Sequence, residues 1–488
     1  MEPDRKRHCW ECLRRSLVCD FTHPACERCI ASGIACPGYK ETQPLRLKWL
    51  QPGKVESRKA RRTRKLDEKA ITTTEKTTIS FAKPHYELKT DVHTLFQASE
   101  YFNARIFPGI LPILELGSNC GVYQISPRMF QNGMTRPDYV RLGLVCASIS
   151  HRMNQTRDEP QSKSLAMTFF HYRGLIIRSL NDDIGIDHKR MSNLVVAGIL
   201  TLIIVDSQQG ASSFWRYHLQ GAWKIIALRG GMCSFAKSTG AIPLLLLLAR
   251  IAVMGNTSSP ASDLALTPVH LEELGFVIEQ YGNRLFAFQG LPTPLFSEII
   301  KINYVRMRAA KSMSVVTDDL IYEAYEILHR IESFSPEQWT ESKPSSKSEE
   351  WLLLGKVHRA AVALFCIHSL QSVSVLSHIP LHREICGAHG WNLYILLKQA
   401  VSSPSTKRFM LWPLVVLGVE AVNGAVALRS FVQWQLPELC RDTGMLAPLI
   451  ARDILEKFWN SGETDWDSCF DRPYAFMMEP AVEVSKLS

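Results

Sequence analysis

Beyond Asp91 the chain repeats one pattern, with apolar residues every three or four positions and polar residues between them. That is the period of a helix with one buried face. Helices are predicted over 138–153, where Val140, Leu144 and Ala147 recur and Pro137 holds a helix-start position, and over 165–180, through Leu165, Phe169, Leu175, Ile176 and Leu180. Residues 194–206 are apolar almost throughout, which predicts a helix buried on all sides. Residues 214–228 set Leu219, Ala222, Trp223 and Ile226 on one face and stop at Gly230-Gly231. Further helices are predicted over 351–370, 392–401 and 410–429. Strand-like alternation is scarce. The pattern therefore predicts a large all-α region over residues 91–488, an array of stacked antiparallel helix pairs.

The first ninety residues lack that pattern. Residues 66–83 are rich in Thr and Lys with few large apolar side chains, and no sustained heptad runs between Lys54 and Lys89. Together with the Pro- and Gly-punctuated stretch around Pro44 and Pro52-Gly53, they read as a linker over 41–90. A separate module is left over residues 1–40. The apolar runs Leu194–Val205 and Ile242–Leu248 fall short of the ~20 residues that span a bilayer. Met1–Arg7 leads into a polar, cysteine-bearing segment with no apolar signal core. No membrane partner is expected.

Charge sharpens this division. The 488 residues carry +9 overall, and residues 1–70 hold 17 Lys and Arg against 9 Asp and Glu, so almost the whole excess lies at the N-terminal end. Such asymmetry points to a polyanionic partner there. Six of the eight residues from Arg58 to Lys65 are basic (Arg58, Lys59, Arg61, Arg62, Arg64 and Lys65). That run has the composition of a nuclear import signal or a backbone-binding arm.

Cysteine supplies the chemistry. Six of 13 cysteines lie between Cys9 and Cys36, and the other seven are scattered through helical sequence as structural, reduced thiols. The spacing Cys9-x2-Cys12-x6-Cys19-x6-Cys26-x2-Cys29-x6-Cys36 is one C-x2-C-x6-C unit written twice. A C-x2-C step lets two thiolates clamp one ion. Six thiolates exceed the needs of one tetrahedral zinc, and they satisfy two ions if two sulfurs bridge. The internal repeat nominates Cys9 and Cys26 as the bridging pair, with Cys12 and Cys19 completing one ion and Cys29 and Cys36 the other. Three disulfides, or one zinc with two spare cysteines, are the alternatives.

On this spacing, with Asp20 after the third cysteine and Pro24 before the fourth, the sequence resembles the fungal Zn(II)2Cys6 binuclear-cluster transcription factors. The resemblance implies two Zn2+ ions bridged by the first and fourth cysteines, and a zinc-stabilised pair of short helix–loop units whose first helix enters the major groove. It implies a nuclear, sequence-specific regulator of RNA polymerase II transcription, with residues 91–488 as its regulatory domain. Its partners are then double-stranded DNA with CGG-type half-sites and the transcription machinery; with no heptad after the cysteine module, monomer binding and a homodimer paired through residues 91–488 both stay open.

Arg14 and Arg15 are the basic residues of the reading helix, and Arg15 is the candidate for bidentate readout of guanine. Ser16 and Val18 stand where the family usually has Lys or Arg. Arg5, Lys6, Arg7, Arg28 and Lys40 are candidate phosphate contacts. The opening Cys9-Trp10-Glu11-Cys12, the Cys36-Pro37-Gly38-Tyr39 run and the stretch from His218 to Gly231 are similar to a filamentous-fungal subgroup typified by the acriflavine sensitivity control protein. Regulators of that kind often govern secondary-metabolite gene clusters. Ser16 and Val18 motivate the competing reading, a zinc-stabilised interaction module or corepressor without sequence-specific DNA reading.

No catalytic residue is nominated. The chain has no phosphate-binding glycine loop, Gly-x-Ser-x-Gly elbow or His-Glu-x-x-His pair. His151, His171, His218 and His368 read as core or surface histidines without partners at metal-binding spacing. An enzyme is therefore not expected.

Overall fold

Local sequence rules set the helix ends. Ser126 and Ser192 cap helices through side-chain oxygens that accept Met129 N–H (3.2 Å) and Leu194 N–H (3.1 Å). A computed structural model of the chain describes residues 9–15, 19–39, 86–117, 123–157, 159–210, 214–265, 275–276, 278–279, 290–311 and 317–476, together with residues 478, 482 and 484. Two compact units result, Met1–Ala82 and Lys83–Ser488. Among the described residues the regular elements are helices, with no strand.

Among its described residues the first unit holds two five-residue helices, α1 (Trp10–Arg14) and α2 (Glu27–Ala31). Its interior is made of sulfur: Cys9, Cys12, Cys19, Cys26 and Cys29 are each at most 2 % exposed, with Phe21, Cys36 and Tyr39 packed against them. A module this small has too little apolar surface to fold on burial alone.

The second unit is a helical array around one continuous core. Its N-terminal part is built from α3 (Tyr86–Tyr101), α4 (Asp138–Gln155), α5 (Gln161–Ile184), α6 (Asn193–Gln208) and α7 (Trp215–Leu228). Helix α6 is packed by α4, α5 and α7 and is buried from Val195 to Gln208 except at Thr201. Helices α8 (Ala241–Thr257), α9 (Thr293–Lys311) and α10 (Asp318–Ser333) lead to the centre of the second half, α11 (Ser348–Ser372). Around α11 lie α9, α10, α12 (Pro380–Ala400) and α13 (Leu411–Glu420), and α14 (Val426–Thr443) and α15 (Ala447–Ser461) pack on α13.

Helix α11 is long and apolar enough to cross a bilayer: its 25 residues include a stretch of mean hydropathy 1.3. Yet 78 % of that stretch lies inside the fold, as expected of a core helix packed on all sides. Lys356, His358 and Arg359 interrupt it, which hides it from a search for unbroken apolar runs.

Three expectations are corrected in detail. The helix predicted over 410–429 is two helices, because the chain turns at Ala421-Val422 and bends at Asn423-Gly424, and Arg429 folds back to donate to Ala421 O (2.8 Å) and Val422 O (2.7 Å), the carbonyls left open after α13. The helix predicted over 392–401 starts at Pro380, a favoured first position, twelve residues earlier. Helix α3 begins at Tyr86, inside the stretch read as linker. At the end of α14, Gly444 has φ +65°, and a Cβ there would stand 2.1 Å from the His151 ring, so this C-cap needs glycine for conformation and for space.

Candidate metal centre and nucleic-acid interface

The six clustered cysteines fold into one sulfur-lined site whose halves repeat each other. In each half the first cysteine precedes a helix and its sulfur accepts the N–H three residues on: Cys12 N to Cys9 Sγ and Cys29 N to Cys26 Sγ, both 3.4 Å. The third cysteine of each half accepts the N–H of the first: Cys9 N to Cys19 Sγ and Cys26 N to Cys36 Sγ, both 3.5 Å. The residue two beyond each third cysteine is left-handed, Phe21 at φ +65° and Gly38 at φ +78°. The sequence repeat of 17 residues is thus a repeat in space.

Sulfur distances fit a metal. Cys9 Sγ lies 3.5 Å from Cys26 Sγ and 3.7 Å from Cys29 Sγ, and Cys12 Sγ lies 3.7 Å from Cys26 Sγ. A tetrahedral zinc with Zn–S bonds of ~2.3 Å has sulfur–sulfur edges of about 3.8 Å. All six thiols are free, with no S–S bond of ~2.05 Å among them. Two four-sulfur sets could each hold an ion, Cys9/Cys12/Cys19/Cys26 and Cys9/Cys26/Cys29/Cys36. They share Cys9 and Cys26, the pair that the repeat nominates as bridging.

The thiols are electrostatically uneven. Burial pushes Cys9 and Cys12 up, and Cys29 up to about 12. Burial opposes ionisation at Cys19 as well, but the Cys9 N–H and the Tyr39 hydroxyl outweigh it and hold that thiol down at about 6. At Cys36 the N–H groups of Cys26 and Gly38 do the same. A divalent cation between the sulfurs overrides the burial cost, since coordinating thiols are deprotonated outright.

Two residues around the sulfurs carry more of the architecture than the sequence suggests. Asp20 reaches across to α2 and accepts Arg28 N–H (2.9 Å) and Glu27 N–H (3.2 Å) while also accepting Thr22 N–H (3.0 Å). These donors hold its carboxyl well below the usual carboxylate range, with Thr22 contributing most. Tyr39 donates to Thr22 O (3.0 Å), stands 3.4 Å from Cys19 Sγ and stacks on His23, whose bond to Pro24 is cis. In the sequence Tyr39 stands out only as the end of the Cys36-Pro37-Gly38-Tyr39 run. Its hydroxyl touches a sulfur 20 residues away, a contact that no spacing rule reveals.

Of the candidate DNA contacts, Arg15 is exposed just past α1 and Arg28 is exposed on α2, so both are presented to solvent. Arg14 contributes the last helical residue of α1. The side chain of Arg14 and all of Arg5, Lys6, Arg7, Lys40, Ser16 and Val18 lie outside the described residues, as does the basic run Arg58–Lys65.

Comparison with known proteins agrees with this geometry. The fungal Zn(2)-Cys(6) binuclear cluster domain matches residues 7–46, and the fungal specific transcription factor domain matches residues 97–478. The chain belongs to the Zn(2)-Cys(6) fungal transcription factor family. It is a zinc-binding, DNA-binding transcription regulator rather than an enzyme, and the family implies a nuclear location. Over 491 aligned residues, covering 100 % of this factor and 92 % of the relative, it is 44 % identical to the phomenoic acid biosynthesis cluster-specific transcriptional regulator of Leptosphaeria maculans. Over 44 residues, 9 % of this factor and 4 % of the relative, it is 41 % identical to arginine metabolism regulation protein II of Saccharomyces cerevisiae. No solved structure matches the factor.

Proposed function

We propose that this transcription factor is a pathway-specific regulator of a secondary-metabolite biosynthetic gene cluster. The observation that carries the reading is similarity over the whole chain to a relative named as a biosynthesis cluster-specific regulator, with the helical unit included. A match confined to the cysteine module would support DNA binding and nothing about the pathway.

In this reading residues 1–40 form the DNA-binding module and bind two Zn2+ ions, with Cys9 and Cys26 bridging, Cys12 and Cys19 on one ion, and Cys29 and Cys36 on the other. The two overlapping sulfur sets support that ligand assignment. Arg14 and Arg15 read a CGG-type half-site from the major groove, while Arg5, Lys6, Arg7, Arg28 and Lys40 hold phosphates. Residues 41–90 link the module to the helical domain, and Arg58, Lys59, Arg61, Arg62, Arg64 and Lys65 serve nuclear import. The helical domain over 91–488 contacts the transcription machinery and a second copy of the chain. The Cys-Trp-Glu-Cys and Cys-Pro-Gly-Tyr runs support membership of the subgroup typified by the acriflavine sensitivity control protein.

Deleting the gene and sequencing transcripts tests this directly. A coordinated change confined to a contiguous set of biosynthetic genes, with loss or gain of one metabolite, is the expected result. Unchanged neighbouring transcripts and an unchanged metabolite profile reject the pathway assignment. Selection of bound sequences from random DNA by the full-length protein tests the half-site: enrichment of CGG supports direct reading, and sequence-blind binding supports an interaction module instead.

A further inference from the structure

Away from the cysteine module, three helices bring one nitrogen, one sulfur and one oxygen donor to a single buried point. His368 on α11, Cys386 on α12 and Glu420 at the end of α13 are 7 %, 2 % and 1 % exposed, and their donor atoms lie within 4.8 Å of one another. His368 Nε2 is 2.6 Å from Glu420 Oε2. We propose that His368, Cys386 and Glu420 form a separate zinc site in the helical unit, with a fourth position open to solvent.

The donor set is the first argument. Imidazole, thiolate and carboxylate are the protein ligands of zinc, and three of them with one open position is a common arrangement for this ion. Calcium and magnesium take oxygen and do not select a thiolate. Arg383 and His368 already offset the buried Glu420 carboxylate, so it is the donor set and its spacing that point to an ion.

The packing orients the ligands. Glu420 Oε1 accepts a hydrogen bond from Arg383 Nη2 at 2.9 Å, and the same Nη2 reaches Asn423 O at 3.2 Å. Arg383 thereby fixes one carboxylate oxygen and leaves the other turned to His368 and Cys386, as outer partners of metal ligands do. Gly390, one turn beyond Cys386 on the same helix, permits this approach, because a Cβ there would stand 2.8 Å from Glu420 Cγ. On a tetrahedral zinc with bonds of ~2.0–2.1 Å, nitrogen and oxygen stand about 3.3 Å apart. Zinc would thus widen the His368–Glu420 distance from 2.6 Å by under ~1 Å, and the proton between them leaves as the ion binds.

An access path completes the site. His368, Cys386 and Arg383 line a cavity of about 380 Å³ together with His378, His382 and Asp465. The cavity supplies a route for the ion and room for water or an exogenous ligand at the fourth position.

The test uses the full-length protein equilibrated with zinc alone and then desalted, with zinc per chain measured and the zinc environment read by X-ray absorption. Wild type should hold one more zinc per chain than Cys386→Ser and than His368→Gln. Its spectrum should contain a Zn–N/O shell at ~2.0–2.1 Å beside Zn–S at ~2.3 Å, and that shell should vanish in both variants. Equal zinc content in all three proteins, or extra zinc that persists in the variants, overturns the proposal. If a variant does not fold, the wild-type spectrum decides by itself: a sulfur-only shell leaves no zinc on His368 and Glu420. Neither outcome touches the DNA-binding reading, whose ligands are sulfur only.

Discussion

The carboxylate of Asp20, just after the third cysteine, accepts the backbone N–H of Arg28 at 2.9 Å and so ties the first half of the cysteine module to the helix of the second. The same carboxylate takes the N–H of Glu27, which makes it an N-cap supplied from outside the local chain. Cys26 already caps this helix through its sulfur, so a thiol and a carboxylate share the open N–H groups of one short helix.

Removing that cap should loosen the metal. In Asp20→Ala, zinc should pass to a competing chelator faster than in wild type, while Asp20→Asn, whose amide oxygen still accepts, should fall between them. The chelator-transfer rate is the measurement. Equal rates in Ala and Asn would mean that the carboxylate contributes charge rather than the cap.

The sharing of Cys9 and Cys26 between the two sulfur sets makes the cysteines unequal. Cys26→Ser should weaken both ions and lose two zinc per chain relative to wild type. Cys36→Ser should lose one. Structural zinc of this general kind contributes ~10–16 kcal/mol of binding free energy, so complete chelation should unfold the module and abolish DNA binding, with recovery when zinc is restored. Equal losses from Cys26→Ser and Cys36→Ser would reject the bridging assignment.

Arg15 and Arg28, both exposed, should fail differently. Arg15→Ala should relax the preference for guanine by ~1–3 kcal/mol of discrimination, about 5- to 150-fold, with a smaller effect on non-specific affinity. Arg28→Ala should weaken binding to all sequences alike and lower the slope of log affinity against log salt by about 1. Titrations on matched and scrambled sites across a salt series separate the two. A uniform loss in Arg15→Ala would make it a phosphate contact.

The cysteine module was legible because its ligands are local: each C-x2-C step is one helical turn, and the 17-residue repeat carries the pairing in the spacing itself. Helix α6 was equally legible, since its burial is written as an almost unbroken apolar run, whereas polar residues interrupt the run of α11. Elsewhere the informative partner is remote. Glu420 meets His368 across 52 positions, and Tyr39 meets Cys19 across 20, so neither leaves a mark in local periodicity. The start of α12 was hidden because His382, Arg383 and Glu384 interrupt the stripe, although His382 turns inward to the carbonyl of Ser377 and the exposed Arg383 reaches the buried carboxylate of Glu420. Polar residues with an inward partner read as surface when the partner is unknown.

His358 gives the helical unit a pH dependence with a definite sign. It is 4 % exposed on α11, and its Nδ1–H donates to Leu354 O at 2.8 Å. Burial pushes its pKa down from 6.5 to about 4, with the Leu354 carbonyl opposing weakly. The unfolded chain therefore binds a proton below about pH 6.5 that the folded chain refuses until about pH 4. Stability from this group is complete above the unfolded value and falls as pH drops through that window. Between pH 7 and pH 5 the loss is about 2 kcal/mol. Denaturant unfolding of wild type and His358→Leu, followed by far-ultraviolet circular dichroism at both values, isolates the effect because every other titrating group is common to the two proteins. Wild type should lose about 2 kcal/mol more than the variant. Parallel losses would mean that His358 takes up its proton in the folded state.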